Sequence, residues 1–178
     1  MTEGLRAAAG LVEPALSAER LHVSLNFLYG GEAPPPAHLV ARAVAAAQTL
    51  QVPPFRMALN RVVSWKRKEG PRPLVLTGDE GVIGAEGLRT ALQGALAEAG
   101  LVAGDDKPRW AHLTALWGEH DLDVRLREPI AWTAREVLLL DSLHGAGRQA
   151  LVGRVPLRPA RLPAPRAARP GLPRSAAR

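Results

Sequence analysis

Apolar and polar residues alternate with a period of two along residues 20–29, RLHVSLNFLY, the pattern of a half-buried strand. Val23, Leu25 and Phe27 then share one face, and His22 and Ser24 the other. Three prolines, Pro34 to Pro36, lead into Leu39, Val40, Ala43, Val44 and Ala47, whose spacing predicts a helix over 35–50. Segments 54–65, PFRMALNRVVSW, and 73–78, PLVLTG, read as strands, with KRKEGPRP as the turn between them. Leu88, Leu92 and Leu96 recur at helical spacing, which predicts a second helix over 83–99 with Gly100 as its C-terminal stop. Segment 109–117, RWAHLTALW, reads as a strand; 130–142 and 148–157 read as two more, joined by a turn at His144-Gly145-Ala146-Gly147.

The order strand–helix–strands–helix–strands predicts an α+β protein. It also suggests two related halves, each opening on a strand that carries a histidine. Identity between the halves is too low to establish a repeat from spacing.

Composition narrows the picture. The 178 residues suffice for one domain or two small lobes, and 47% hydrophobic residues permit a real core. Aromatics are only 4%, so that core must rest on Leu, Val and Ala. No run of 18 apolar residues predicts a membrane span, and Met1 to Gly10, with Glu3 and Arg6, lack a signal-peptide apolar run. There is no cysteine, which excludes disulfides, thiolate catalysis and zinc–thiolate sites and agrees with a cytoplasmic protein. A monomer is expected.

The net charge of +6 resembles a nucleic-acid signal until it is located. Residues 158–178 hold six of the 23 basic residues and no acid, so the remainder balances at 17 basic and 17 acidic. A protein-wide cationic surface for duplex is therefore not indicated. The segment from 159 to 178, rich in Pro, Ala and Arg and without hydrophobic periodicity, is expected to be a disordered tail, either a weak RNA-binding arm or a solvated extension. Residues 1–158 are expected to form the folded domain.

Candidate chemistry lies in two short matches. His22-Val23-Ser24 and His112-Leu113-Thr114 are both His-x-Ser/Thr, and each places an imidazole and a hydroxyl on one strand face with an apolar face behind. Phosphodiester hydrolysis needs a base for the attacking water and an acid for the leaving alkoxide. Histidine titrates near neutrality and can serve as either. The hydroxyls can donate to the non-bridging oxygens, where charge is held through the transition state. No metal is called for, and neither an acidic cluster nor His-x-x-x-His offers one a site. Ser and Thr total 11 of 178 residues, so two accidental matches among five histidines have a chance of roughly 4%, a real risk for so short a motif. The competing account is two ordinary strand histidines on a half-exposed face.

HVSLNFL and AHLTALW resemble the paired His-x-Thr/Ser-x motifs of the two-histidine (2H) phosphoesterases, within them the bacterial RNA 2′,3′-cyclic phosphodiesterases, historically called 2′-5′ RNA ligases. PLVLTGDEGVIGAEGLRTALQGALAEAGL resembles that family's middle strand and helix. REVLLLDSLHG with LVGRVPL resembles its closing hairpin. The likeness spans about residues 19–157. It implies a bilobal fold, with two small antiparallel sheets facing across a cleft, helices on the outer faces and one motif from each lobe. It implies hydrolysis of RNA 2′,3′-cyclic phosphate ends to 2′-phosphates without a cofactor, with 2′-5′ ligation as a reverse-type side reaction. By the same analogy His22 is the acid and His112 the base, with Ser24 and Thr114 on the phosphate.

The sequence departs from the family in three places. About 19 residues precede the first motif segment, and they lack the usual Phe-Val-Ala-Leu-x-Pro strand, so either the start is shortened or the first lobe lacks an edge strand. Trp117 stands where a basic residue often follows the second motif, so phosphate binding must come from elsewhere, or Trp117 stacks on a base. Ser24 replaces the commoner threonine and keeps the hydroxyl. Two alternatives stay open: a cyclic phosphodiesterase for a small nucleotide, and an inactive RNA- or nucleotide-binding protein of the same fold.

Other residues admit two readings. Lys66, Arg67 and Lys68 form either a phosphate-contacting loop or a solvated turn. Trp65, Trp110, Trp117 and Tyr29 either stack on bases or fill the core. Arg148 opens the last strand, where the resemblance implies side chains near the cleft. His38 and His120 have no hydroxyl two residues on and are expected at the surface; His144, in a glycine-rich turn, lacks one too. GDEGVIG at 78–84 lacks the Gly-Lys-Ser/Thr ending of a phosphate loop, and Asp79 and Glu80 oppose phosphate, so a nucleotide hydrolase is rejected.

Overall fold

Two antiparallel sheets, one of four strands and one of two, are accompanied by two α-helices in a computed structural model that describes residues 14–31, 33–101, 110–143 and 147–159. A 3₁₀ turn at Ala18–Arg20 precedes α1 (Ala37–Gln48), β1 (Phe55–Ser64) and β2 (Arg72–Thr77). A second 3₁₀ turn, Glu80–Val82, runs into α2 (Ile83–Glu98), followed by β3 (Leu113–Gly118), β4 (Asp123–Ala134), β5 (Glu136–Leu143) and β6 (Arg148–Pro156). The larger sheet has the order β3-β2-β1-β4, and β5 and β6 form the smaller one. This is the α+β architecture expected from the order of elements.

The helices follow from their apolar stripes. On α2 the buried residues are Ala85, Leu88, Leu92 and Leu96, one face at helical spacing. The helix ends in a glycine cap. Gly100 takes φ +67°, and Leu101 N–H donates to the Leu96 carbonyl at 2.8 Å. The Arg42 guanidinium of α1 donates to the Ala99 carbonyl at the same end. On α1 the buried residues are alanines, Ala43, Ala46 and Ala47, so a short-side-chain face lies against α2 and the β5–β6 hairpin. The glycines of GDEGVIG serve packing: a Cβ on Gly78 or Gly81 would come within 2.4 or 2.2 Å of the Ala58 carbonyl oxygen.

Buried side chains gather into two clusters. One contains Met57, Leu59, Val62, Leu74, Leu76 and Leu116 of the larger sheet, with Val82 and Ala85 against it. The other contains α1, Leu92 and Leu96 of α2, and Val155 of β6. Leu25, beside the first motif, packs against both, so the segment 21–25 lies at their seam.

Several expectations change. Residues 20–29 do not form a ladder strand; they carry isolated bridge residues at Val23, paired antiparallel with Leu113, and at Phe27. The first motif is therefore joined to the second-motif strand at Val23. Upstream, Leu16 N–H donates to the Ala115 carbonyl at 2.8 Å, so the chain meets the outer edge of β3 on both sides of the 3₁₀ turn. The expected strand 130–142 is two elements, β4 and β5, broken at Arg135. β4 also starts at Asp123, earlier than expected, because an edge strand carries charge and shows little apolar alternation. His120 is buried, not a surface residue. His38 is exposed as expected. His144, the rest of its turn up to Ala146, and residues 160–178 of the tail lie outside the described residues, although Gly147 takes φ +62°.

Candidate active site

The Val23–Leu113 bridge brings the two motifs together. Residues paired across an antiparallel bridge point to the same side of the sheet, and their neighbours point to the other. Val23 and Leu113 face the core of the larger sheet, as do Leu21, Leu25, Ala111 and Ala115. His22, Ser24, His112 and Thr114 therefore emerge together on the opposite face. Antiparallel register sets His22 across from Thr114, and Ser24 across from His112. The histidines are diagonal neighbours, roughly 7–8 Å apart for such a pair.

Both rings are held in the same way. His22 Nδ1 lies 2.8 Å from the Arg20 carbonyl oxygen, and His112 Nδ1 lies 2.8 Å from the Trp110 carbonyl oxygen. A carbonyl only accepts, so Nδ1 carries the hydrogen on each ring and Nε2 carries the lone pair of the neutral form. The backbone beside His112 is fixed on both sides: Thr77 Oγ1 donates to the Ala111 carbonyl at 3.0 Å, and Ala111 N–H donates to Glu86 Oε1 at 3.4 Å. Trp65 packs on the His112 ring, with centroids 4.1 Å apart and planes tilted by 51°. Trp65 is thus a neighbour of the imidazole.

Trp65 is in turn set by the strand end before it. Ser64 is buried; its hydroxyl accepts from Leu122 N–H at 2.9 Å and lies 2.7 Å from His120 Nδ1. That pair ties the end of β1 to the approach of β4. Trp65 N–H donates to the Pro73 carbonyl at 3.1 Å. Neither Ser64 nor His120 carries a motif, and composition offers no signal for the pair.

Trp117 reaches the motif face through an irregularity. Strict alternation would place it with Leu113 and Ala115, toward the core. The β2–β3 register shifts between Leu74 and Val75: Leu74 pairs with Leu116, and Val75 with Thr114, leaving Ala115 as an extra residue. This bulge changes the phase, so Trp117, paired with Pro73, shares the face of Thr114. It is 44% exposed, and the Arg67 guanidinium lies 5.5 Å from its ring centroid.

The remaining candidates scatter. Lys66 and Lys68 are exposed on the β1–β2 loop that supplies Trp65 and Arg67. Tyr29 is half-buried in the wall of a cavity of about 700 Å³ that runs along residues 21–31 beside α1, α2 and the β5–β6 hairpin. His22 and Ser24 line that cavity, whereas His112 and Thr114 do not. Arg148 is exposed at the start of β6 opposite Leu143, and its neighbour Gln149 lines the cavity instead. The structure does not bring Arg148 to the motif face. Trp110 is 66% exposed, directly before the second motif.

Beyond the motifs, the same sheet face carries a balanced ionic group. Arg61 pairs through two bonds with Asp123, at 2.7 and 2.5 Å, and Arg125 pairs with Asp79 at 2.9 Å. The Arg61 guanidinium holds the Asp123 carboxyl below the usual carboxylate range. Hydrogen bonds from Asn60 and Arg125 do the same for Asp79. Among the described residues no group of three or more His, Asp or Glu side chains converges as metal ligands, and no helix is long and apolar enough to cross a membrane.

No family model and no curated protein matches this sequence. Solved structures do match it in fold. Escherichia coli LigT complexed with 3′-AMP aligns with a TM-score of 0.66 over 88% of each chain, at 20% identity. TT0787 of Thermus thermophilus aligns with a TM-score of 0.65 over 89% of this chain and 92% of its own, at 23% identity. A protein described as a phosphoesterase aligns with a TM-score of 0.64 over 82% of each chain, at 22% identity. The chain has the fold of these proteins.

Proposed function

We propose that this protein is a 2H phosphoesterase that hydrolyses RNA 2′,3′-cyclic phosphate ends to 2′-phosphates, with His22 and His112 as the acid–base pair. The reading rests on the antiparallel bridge that puts two His-x-Ser/Thr segments side by side with rings and hydroxyls on one face. The shared fold with LigT and TT0787 supports it, as does the ability of LigT to take 3′-AMP.

The chemistry follows from the nitrogen assignments. With Nδ1 hydrogen-bonded to a carbonyl, each ring presents Nε2 to the reaction. His112 Nε2 takes a proton from water as its oxygen attacks phosphorus. The P–O3′ bond breaks, and His22, entering as imidazolium, gives its Nε2 proton to the departing 3′ oxygen. The products are a 2′-phosphate and a free 3′-hydroxyl, and proton exchange with solvent resets the pair. The carbonyl on Nδ1 keeps each ring oriented. Trp65, packed on His112, offers an aromatic face to the imidazolium formed there. Ser24 and Thr114 donate to the non-bridging oxygens. With a 5′-hydroxyl in the position of water, the same displacement of the 3′ oxygen would give a 2′-5′ linkage and a free 3′-hydroxyl. The chain acts without a cofactor, as a monomer in the cytoplasm.

The test is turnover of an oligonucleotide ending in a 2′,3′-cyclic phosphate, with and without a chelator. The expected product is the 2′-phosphate, formed at the same rate in chelator, with His22→Ala and His112→Ala each slowed by on the order of 10⁴-fold or more. A wild type that opens no cyclic phosphate contradicts the proposal.

A further inference from the structure

The face that carries the motifs extends past them to an aromatic residue paired with a cation. Three observations concern it. First, the bulge at Ala115 turns Trp117 away from the core and onto the side of Thr114. An apolar ring of that size would otherwise be buried, and it stands 44% exposed. Second, the β1–β2 loop reaches β3 at two points. Trp65 packs on His112, and Arg67, two residues on, lies over Trp117. The loop thus links the imidazole to the exposed indole. Third, Lys66 and Lys68 flank Arg67 and are exposed, which concentrates positive charge on this loop although the chain up to residue 157 balances. Bulges commonly re-aim a side chain beside a site. An indole with a guanidinium against it and lysines around it matches the chemistry of an unstacked base with its phosphates.

We propose that Trp117 and Arg67 form a stacking shelf for single-stranded RNA, holding a nucleotide of the strand that ends in the cyclic phosphate. This rests on the phosphodiesterase reading and deepens it, because it makes an oligonucleotide a better substrate than a cyclic mononucleotide. The base lies on the indole, Arg67 serves both the stack and the adjacent phosphate, and Lys66 and Lys68 attract the backbone. Duplex fits poorly, since its base faces are already stacked. The pair also gives the protein a way to read strand length without reading sequence, because every base has a π face.

Two measurements on the full chain test this. The first is fluorescence anisotropy of a labelled single-stranded oligonucleotide ending in a 2′-phosphate, which is a product and is not consumed. Trp117→Ala should weaken binding by about 5- to 100-fold, the worth of one base–aromatic stack, and Trp117→Phe should recover most of it. Arg67→Ala should weaken it and lower its salt dependence. The second is kcat/KM on that oligonucleotide with a cyclic end against a 2′,3′-cyclic mononucleotide. The wild-type preference for the oligonucleotide should fall about tenfold in Trp117→Ala. Wild-type affinity in Trp117→Ala, with the fold intact by circular dichroism, overturns the shelf and leaves an intramolecular cation–π contact. Equal affinity of the wild type for duplex also overturns it. If no cyclic phosphate is opened at all, the enzymatic reading fails while the binding series still decides the shelf.

Discussion

At the scale of single residues, a carbonyl oxygen two positions upstream decides what each histidine can do. Arg20 and Trp110 supply it, and both rings are left with Nε2 for proton transfer. In the proposed reaction the hydroxyls have a different task, to meet charge on phosphate oxygens without exchanging protons. Ser24→Ala and Thr114→Ala should each lower kcat by on the order of 10- to 1000-fold, within the range for removing one donor from a transition-state oxyanion. Steady-state kinetics would check this, and a change confined to KM would contradict it. One neutral and one protonated imidazole also predict a bell-shaped dependence of kcat/KM on pH. A profile flat from about pH 5 to about pH 9 would remove the acid–base roles.

At the scale of elements, the legible parts were those in which pattern and environment agree. The leucine stripe of α2 and the glycine at 100 gave helix and stop together, and the alternation in 20–25 correctly sorted His22 and Ser24 from Val23 and Leu25. Alternation could not reveal that this segment makes isolated bridges and no ladder, because pairing depends on a partner far along the chain. Nor does alternation tell which face Trp117 takes, because one bulged residue reverses every face beyond it. The first half of β4 was missed because Asp123, Arg125 and Arg127 carry charge where an edge strand meets solvent. His120 was placed at the surface because acids surround it in sequence, yet its Nδ1 lies against the buried Ser64 hydroxyl. Removing that hydroxyl leaves Leu122 N–H and the imidazole without it. Ser64→Ala should therefore cost about 1–3 kcal/mol in urea denaturation, and Ser64→Thr should cost less.

The ionic group on the larger sheet has a defined sign. Asp123 and Asp79 are held below the usual carboxylate range by Arg61, and by Asn60 and Arg125. A depressed folded-state carboxyl adds stability above its unfolded value, about pH 4, and that stability is lost as pH falls through the folded value. Stability should thus hold at neutral pH and decline in acid, and Asp123→Asn should remove part of the decline. High salt should shrink the same difference, because both pairs are exposed. A chemical-denaturation series from neutral to about pH 3 would show it; an unchanged acid slope in the variant would contradict the pairing.

At the scale of the whole molecule, two cores meet where the first motif runs. Leu25 packs on both the larger-sheet cluster and the helix–hairpin cluster. Its neighbour Ser24 is thereby set by packing from two directions, although residues 20–29 lack the ladder that would fix them in a regular strand. Leu25→Ala should destabilise by roughly 1–2 kcal/mol, below the 2–5 of fully buried leucines, and should lower activity more than a change of matched measured cost in the buried core, such as Val62→Ala. Parallel denaturation and kinetic measurements would separate the two effects; equal activity at equal stability would contradict a special role for the seam.

The central claim is that the His22 and His112 rings act on one phosphorus atom. The most direct measurement is a double-mutant cycle in kcat on a 2′,3′-cyclic phosphate, with His22→Ala, His112→Ala and both together. Groups that work as a unit predict that the double variant is no slower than the worse single variant. Losses that multiply, or a single variant that keeps the wild-type rate, would contradict the account.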